Sequence, residues 1–326
     1  MAYQAGDTIL DDEYNAFINN SSSPFGLNHI GGTGSAKYGL GESDVATVNA
    51  GDTINASHWN SLFTGIDTVA AHCGVTGSMT SRSSVSAGDT IAIANAVATD
   101  LATLATQVST GSPSTTATSL SATLQTSTSD ATWYTSFTTA FTITFANANK
   151  LRHFFNAGGF VRVHAAVTGS GLAGDGTGPG ADASWTNLYS ALGNIDIKQS
   201  SSTRSGSGET LTTNGLSNGA LDLGTTDTTI IKLTDDTYPY GSNTLEVKAK
   251  LNAAVGSATI MTVTIVALDG LTNYVTYTSG NTEGSDSESY RSGQHSHYLK
   301  TQDTTAASLA NAHAPSSTGK TSTTVN

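Results

Sequence analysis

The chain is poor in several things, and each shortage excludes something. A single cysteine, Cys73, rules out an intramolecular disulfide framework and any cysteine-built zinc centre. Basic residues are scarce: 13 Lys and Arg stand against 25 Asp and Glu, for a net charge of −12. With no cationic surplus to neutralise phosphates, neither a nucleic-acid partner nor electrostatic adsorption to an anionic membrane is expected. Charge of either sign is low, at 12% of residues, against the usual ~25%. No apolar run approaches the roughly 20 residues of a membrane span, so no membrane insertion is expected. The N-terminal MAYQAGDTILDDEYNAF has neither a basic nor an apolar signal region. No signal peptide is therefore expected, and the chain reads as soluble and made in a cytosol.

What fills the space is Ser and Thr, about 29% of the chain, together with 34 Gly. Such a composition favours β-structure and turns over charged helices. A length of 326 residues suggests about two domains.

The pentapeptide AGDTI occurs three times, at Ala5–Ile9, Ala50–Ile54 and Ala87–Ile91. A stretch of helical spacing follows each copy. After the first come Tyr14, Phe17 and Ile18, with Asp11, Asp12 and Glu13 in the first turn, where the helix dipole favours anions. After the second come Trp59, Leu62, Phe63, Ile66 and Val69, with Asn55 placed as N-cap. After the third, Val97, Leu101, Leu104 and Val108 form a narrow seam. Short helices with narrow apolar stripes need partners. The partner comes from this chain or from a symmetry mate; the expectation is packing between subunits, with Trp59, Phe63, Leu101 and Leu104 as oligomerisation or assembly residues.

The domain expectation is an attachment and oligomerisation region over 1–112, a Ser/Thr-rich linker over 113–130, a β-domain over 131–300 and a polar tail over 301–326. From Ala131 the period changes to two: Trp133, Thr135, Phe137, Thr139, Phe141, Ile143 and Phe145 share one face. Asn147–Phe155 reads as a short helix stopped by Gly158 and Gly159. Further alternation runs through Val161–Val167, Leu245–Leu251, Met261–Ile265 and Tyr274–Thr278. The expected fold class is mainly β, with a C-terminal antiparallel β-sandwich of jelly-roll type preceded by N-terminal short helical repeat modules.

Candidate chemistry is sparse. His295 and His297 share one face of a strand, and three symmetry-related pairs would supply six imidazoles suited to a transition metal. The plainer reading is two exposed or hydrogen-bonded histidines. Asp175 and Asp182 sit in or beside a Gly-rich loop without the spacing of a calcium loop. Arg162 and His164 fall on the outer face of a strand. Tyr238 and Tyr240 flank Pro239 in a loop where rings stack on sugars or simply pack. Asp235-Asp236 precedes a turn. Gly319-Lys320-Thr321 ends a degenerate phosphate-loop pattern with no room for the helix such a loop needs. Cys73 beside His72 has the sequence of a thiol and base, but helical neighbours face apart. No catalytic motif is present, and the expectation is no enzyme and no cofactor.

Phe154-Phe-Asn-Ala-Gly-Gly-Phe-Val-Arg-Val163 resembles the FFNAGG-plus-strand signature of structural proteins of tailed bacteriophages, particularly cyanobacterial and marine ones. Ser184–Gly193 resembles the W-N-x-L helix that follows it, and Asn243–Leu251 and Thr262–Asp269 resemble the closing strands. The stretch over residues 50–60 is similar to attachment modules of tail and neck proteins. In the first module Leu10–Asn15 departs from Asn55–Asn60. The resemblance implies a virion component, a fibre-like tail or neck protein, with self-association as a homotrimer and other virion proteins as partners. It carries no catalytic residue. The alternatives are a host-receptor module binding surface glycan, with exposed aromatics in the β-domain, and a capsid decoration protein. A polysaccharide hydrolase would need a carboxylate pair in a cleft, for which the sequence has no evident candidate.

Overall fold

Helix α3 (Ala56–Cys73) shows how locally its ends are specified. Asn55 caps its start, accepting from the amides of Ser57 at 3.1 Å and His58 at 3.4 Å. Gly74 ends it in the left-handed conformation, φ +66°, which glycine adopts without a Cβ penalty. Its apolar face, Trp59, Leu62, Phe63, Ile66, Val69 and Cys73, is buried. Around it lie α1 (Asp11–Asn19), α2 (Leu27–Ile30) and α4 (Ala94–Ser109), and the four helices share one core.

The structure is a computed structural model. It describes residues 10–89, 94–111, 125–129, 135–167, 181–236, 241–270, 275–279, 282–286, 295–302, 309 and 313–325. The chain divides into two units. Unit 1 is Met1–Ser119, Ala146–Gly159 and Asp303–Ala314; unit 2 is Leu120–Phe145, Phe160–Gln302 and Pro315–Asn326.

Unit 2 is mainly β, with two antiparallel sheets. The first has the order β1 (Gln125–Ser129), β12 (His295–Gln302), β3 (Phe160–Val167), β4 (Asn194–Ile197), β5 (Ser202–Arg204). The second runs β13 (Ser317–Val325), β2 (Ser136–Thr144), β9 (Ile260–Leu268), β8 (Thr244–Leu251), β7 (Thr228–Thr234), β6 (Thr210–Asn214). A separate hairpin joins β10 (Val275–Ser279) to β11 (Thr282–Asp286). Strand β2 alternates as its sequence predicts: Phe137, Thr139, Phe141 and Ile143 are buried, and the threonines between them are not. Helix α6 (Ala181–Leu192) packs on β3 and also touches β7 and β8, so Trp185 and Leu188 fill space between the sheets. The edge strands β1 and β13 meet directly: Gln125 donates to the Thr318 carbonyl at 3.3 Å, and the Ser127 and Ser322 hydroxyls are bonded.

Three boundaries differ from the sequence expectation. Helix α5 (Ala148–Asn156) lies between β2 and β3 in sequence yet belongs to unit 1. The stretch expected to be a linker contains β1. The polar tail contains β13, paired with β2 over its whole length, and contributes Asp303–Ala314 to unit 1. Gly319, Lys320 and Thr321 lie in that strand.

Candidate assembly site

Two of the AGDTI copies open with one turn. Asp52 donates its amide to the Asn49 carbonyl at 3.0 Å, and Asp89 donates to Ser86 at 3.1 Å. In return each carboxylate accepts the first residue's amide, at 3.3 and 2.7 Å. Helices α1, α3 and α4 begin shortly after the three copies.

A second recurrent contact joins each helix to the approach of the next copy. Asn15 donates to the Val48 carbonyl at 2.8 Å and accepts from the Val48 amide at 2.9 Å. Asn60 does the same to Val85, at 3.0 and 2.9 Å. A carboxamide offers one donor and one acceptor side by side, so each Asn stands in for a neighbouring strand and satisfies both backbone groups of one valine. The two positions correspond: each Asn is the tenth residue after its Ala-Gly-Asp alanine, and each Val is the second before the next one. The aromatic residues preceding these asparagines touch, Tyr14 meeting Trp59 edge to face at 5.7 Å. Asn28 clamps Val45 in the same manner, at 2.9 and 2.8 Å. The sequence signal was the pair aromatic–Asn in both Leu10–Asn15 and Asn55–Asn60, overlooked beside their differences. Replacing Asn15 or Asn60 by Ala is expected to cost about 1–3 kcal/mol each, measured as a lower urea midpoint. Asn→Asp is expected to be no better, because it sets a carboxylate oxygen against the valine carbonyl.

The expected assembly residues are placed differently from the sequence reading. Trp59, Phe63, Leu101 and Leu104 are 2%, 5%, 2% and 0% exposed in the single chain. Their stripes face one another and are covered by α1, α2 and α4 rather than by a second subunit. The partner that short helices require is supplied within the chain.

The FFNAGG segment is the hub of unit 1. Asn147 caps α5 by accepting from the Lys150 amide at 2.9 Å. Phe154 and Phe155 are fully buried. The helix's polar face takes hold of a loop. Arg152 donates to the carbonyls of Tyr38 at 2.8 Å, Thr33 at 2.9 Å and Gly34 at 3.3 Å, and to Asn149 Oδ1 at 2.8 Å. Asn156 donates to Ala36, Tyr38 and Gly39 carbonyls at 3.3, 2.8 and 3.1 Å. His153 donates Nε2–H to Thr33 O at 2.9 Å. The loop turns its carbonyls inward through left-handed residues Gly34 and Ala36, φ +54° and +48°. Arg152 is 3% exposed, and burial lowers its pKa.

His295 and His297 share a face, as their spacing predicts, but that face is the interior of unit 2. His297 Nδ1 is 2.9 Å from Thr139 Oγ1 and its ring stacks on Phe137 at 4.4 Å. His295 Nδ1 is 2.8 Å from the Tyr189 hydroxyl. Burial, and then His295, push the His297 pKa down to about 3. A symmetry-shared metal site needs these rings on the surface of the chain, and the structure buries them at 1% and 0% exposure.

Arg162 forms a two-pronged ion pair with Asp196, 2.5 and 2.7 Å, and His164 stacks on Tyr298 at 4.4 Å. Cys73 is buried and its thiol is pushed up to about 12, which leaves it un-ionised. Asp235 and Asp236 are joined by Glu209, with ligand atoms within 4.8 Å of one another. Asp236 donates its amide to Glu209 Oε2 at 3.0 Å, and burial, opposed by that bond and aided by the two aspartates, raises the Glu209 pKa. Acidic groups gather in this way with or without a cation. Asp175, Tyr238 and Tyr240 lie outside the described residues, as does the side chain of Asp182. Among the described residues no helix is long and apolar enough to cross a membrane. No family model, curated protein or solved structure matches the chain.

Proposed function

We propose that the chain is a structural component of a tailed-phage virion, a fibre-like tail or neck protein. The observation that carries this reading is what the FFNAGG segment does. Phe154 and Phe155 are spent on packing and Asn156 on clamping a carbonyl-lined loop, which is structural work, and the segment resembles that of phage structural proteins. On the same reading the two sheets form a sandwich of jelly-roll type, and the AGDTI turns with their helices are repeat modules linked by Asn15 and Asn60. The module surface left outside the core would meet other virion proteins, and the chain would assemble as a homotrimer.

Two measurements test this. Light scattering on the full chain is expected to give about 100 kDa, three chains of 33.2 kDa. A monomer removes the homotrimer and turns the reading towards capsid decoration. Gold-labelled antibody against the chain is expected to mark assembled phage particles; label confined to the unassembled fraction overturns the virion reading. The glycan-binding alternative has a concave surface to recommend it, a groove of about 500 Å³ along α3 lined by Glu42, Ser61, Thr64 and Thr68 over Leu27 and Val69. Its lining belongs to unit 1, whereas aromatic stacking was expected in the β-domain. A glycan array on the full chain separates the two readings.

A further inference from the structure

Three histidines meet inside unit 1, one from each of the three chain segments that build it. His72 comes from α3, His153 from α5 and His313 from the segment before β13. They are 0%, 5% and 0% exposed. His72 Nε2 is 3.1 Å from the Ala157 carbonyl and His153 Nε2 is 2.9 Å from the Thr33 carbonyl. Only a protonated nitrogen bonds a carbonyl, so both rings carry the proton on Nε2 and leave Nδ1 bare. His153 and His313 pack edge to face at 5.6 Å. His72 Nδ1 is buried with no hydrogen-bond partner, and the buried His313 ring faces the Leu40 carbonyl. Gly41 backs the pair, and a Cβ there would come within 2.6 Å of His153 Nδ1 and 2.8 Å of His313 Cε1.

We propose that this cluster is an acid-sensitive latch: neutral, it fastens α5 and the His313 segment into unit 1; protonated, it releases them. Neutral imidazoles pack as flat, weakly polar rings. Charging them places like charges a few ångströms apart in an apolar interior. Among the described residues only backbone carbonyls favour the charged rings, and burial outweighs them. The charged side chains acting on the three rings are Lys150 and Arg152 of α5, both cations, and the rings act on one another. The other groups facing them are carbonyls of Ala157, Thr33 and Leu40. Burial is the largest influence on each ring, and each is pushed down from 6.5 to about 4. The unfolded or detached segment therefore binds protons first. The latch holds fully above pH 6.5 and weakens as pH falls towards 4.

Hydrogen exchange of the full chain, read peptide by peptide between pH 7 and pH 4.5, tests this. Peptides covering 148–156 are expected to lose protection about tenfold or more by pH 5, after correction for intrinsic exchange. Strands β8 and β9 are expected to keep theirs. His313→Leu removes one charge and is expected to move the loss to lower pH. Imidazole NMR titration of the wild-type chain provides a second test that does not depend on the variant folding. Resonances of the three rings that titrate near pH 6.5 overturn the proposal, as does unchanged protection at pH 5. Loss shared equally by β8 and β9 also overturns it, since it reports global unfolding rather than a latch.

Discussion

Replacing Asp100 by Ala is expected to destabilise the protein by about 3–5 kcal/mol, while Asp67→Ala costs less than about 1 kcal/mol. Both carboxylates bind the same guanidinium. Arg82 Nη1 bonds Asp100 Oδ2, and Arg82 Nη2 bonds Asp67 Oδ1 at 2.6 Å. The difference is solvent. The side chains of Arg82 and Asp100 are each 3% exposed, and that of Asp67 is 63% exposed. Asp100 also holds the chain that delivers Arg82, accepting from the Thr80 amide at 3.2 Å to each oxygen and from its hydroxyl at 3.3 Å. Arg82 in turn lies over the Phe63 ring at 5.9 Å. Removing Asp100 leaves a buried cation with one exposed partner and strands the Thr80 amide. Urea titration measures both variants. The double variant Arg82→Met/Asp100→Leu is expected to recover much of the loss, because neither charge then remains to be desolvated. Equal costs for Asp100→Ala and Asp67→Ala would show that burial does not govern this site.

The pair also marks where the sequence stopped being informative. Helix α3, strand β2 and helix α5 were legible because each carries its own period and its own cap: Asn55 and Gly74, the alternation of Phe137 to Ile143, and Asn147. Unit membership was not legible. Nothing local in Ala148–Asn156 or around His313 says that these segments leave the β-domain, since the groups they bind are main-chain carbonyls more than 100 residues away, which have no sequence signature. Strand β13 has no apolar alternation to announce it: Ser317, Lys320 and Thr321 are exposed, and pairing with β2 rather than burial makes it a strand. The stripe of Leu101 and Leu104 was read correctly as needing cover. Whether the cover comes from the same chain or another is not a property of the stripe, and here α1, α2 and α3 provide it.

Arg152→Met is the other substitution with a large expected effect, about 3 kcal/mol or more. Methionine fills similar space, so the loss isolates the polar role of the guanidinium from its packing. Four hydrogen bonds disappear, three of them to carbonyls of a loop that has no strand partner of its own. Thr33 and Tyr38 keep one donor each, His153 and Asn156, which limits the cost. Gly34 loses the donor it has from Arg152. Arg152→Lys is expected to recover only part of the stability, because a single ammonium cannot span carbonyls that a planar fork reaches together. A spectroscopic readout distinguishes this from a general packing defect. Arg152 helps hold the pKa values of His29 and His153 down, in each case behind the effect of burial. Arg152→Met is therefore expected to raise both titrations in NMR, with the larger change at the ring nearer the lost charge. His72, on which Arg152 does not act, is expected to titrate as before in a variant that remains folded. A shift of all three rings together would mean that the interior of unit 1 had opened to water, and that the guanidinium holds the whole unit closed rather than one loop.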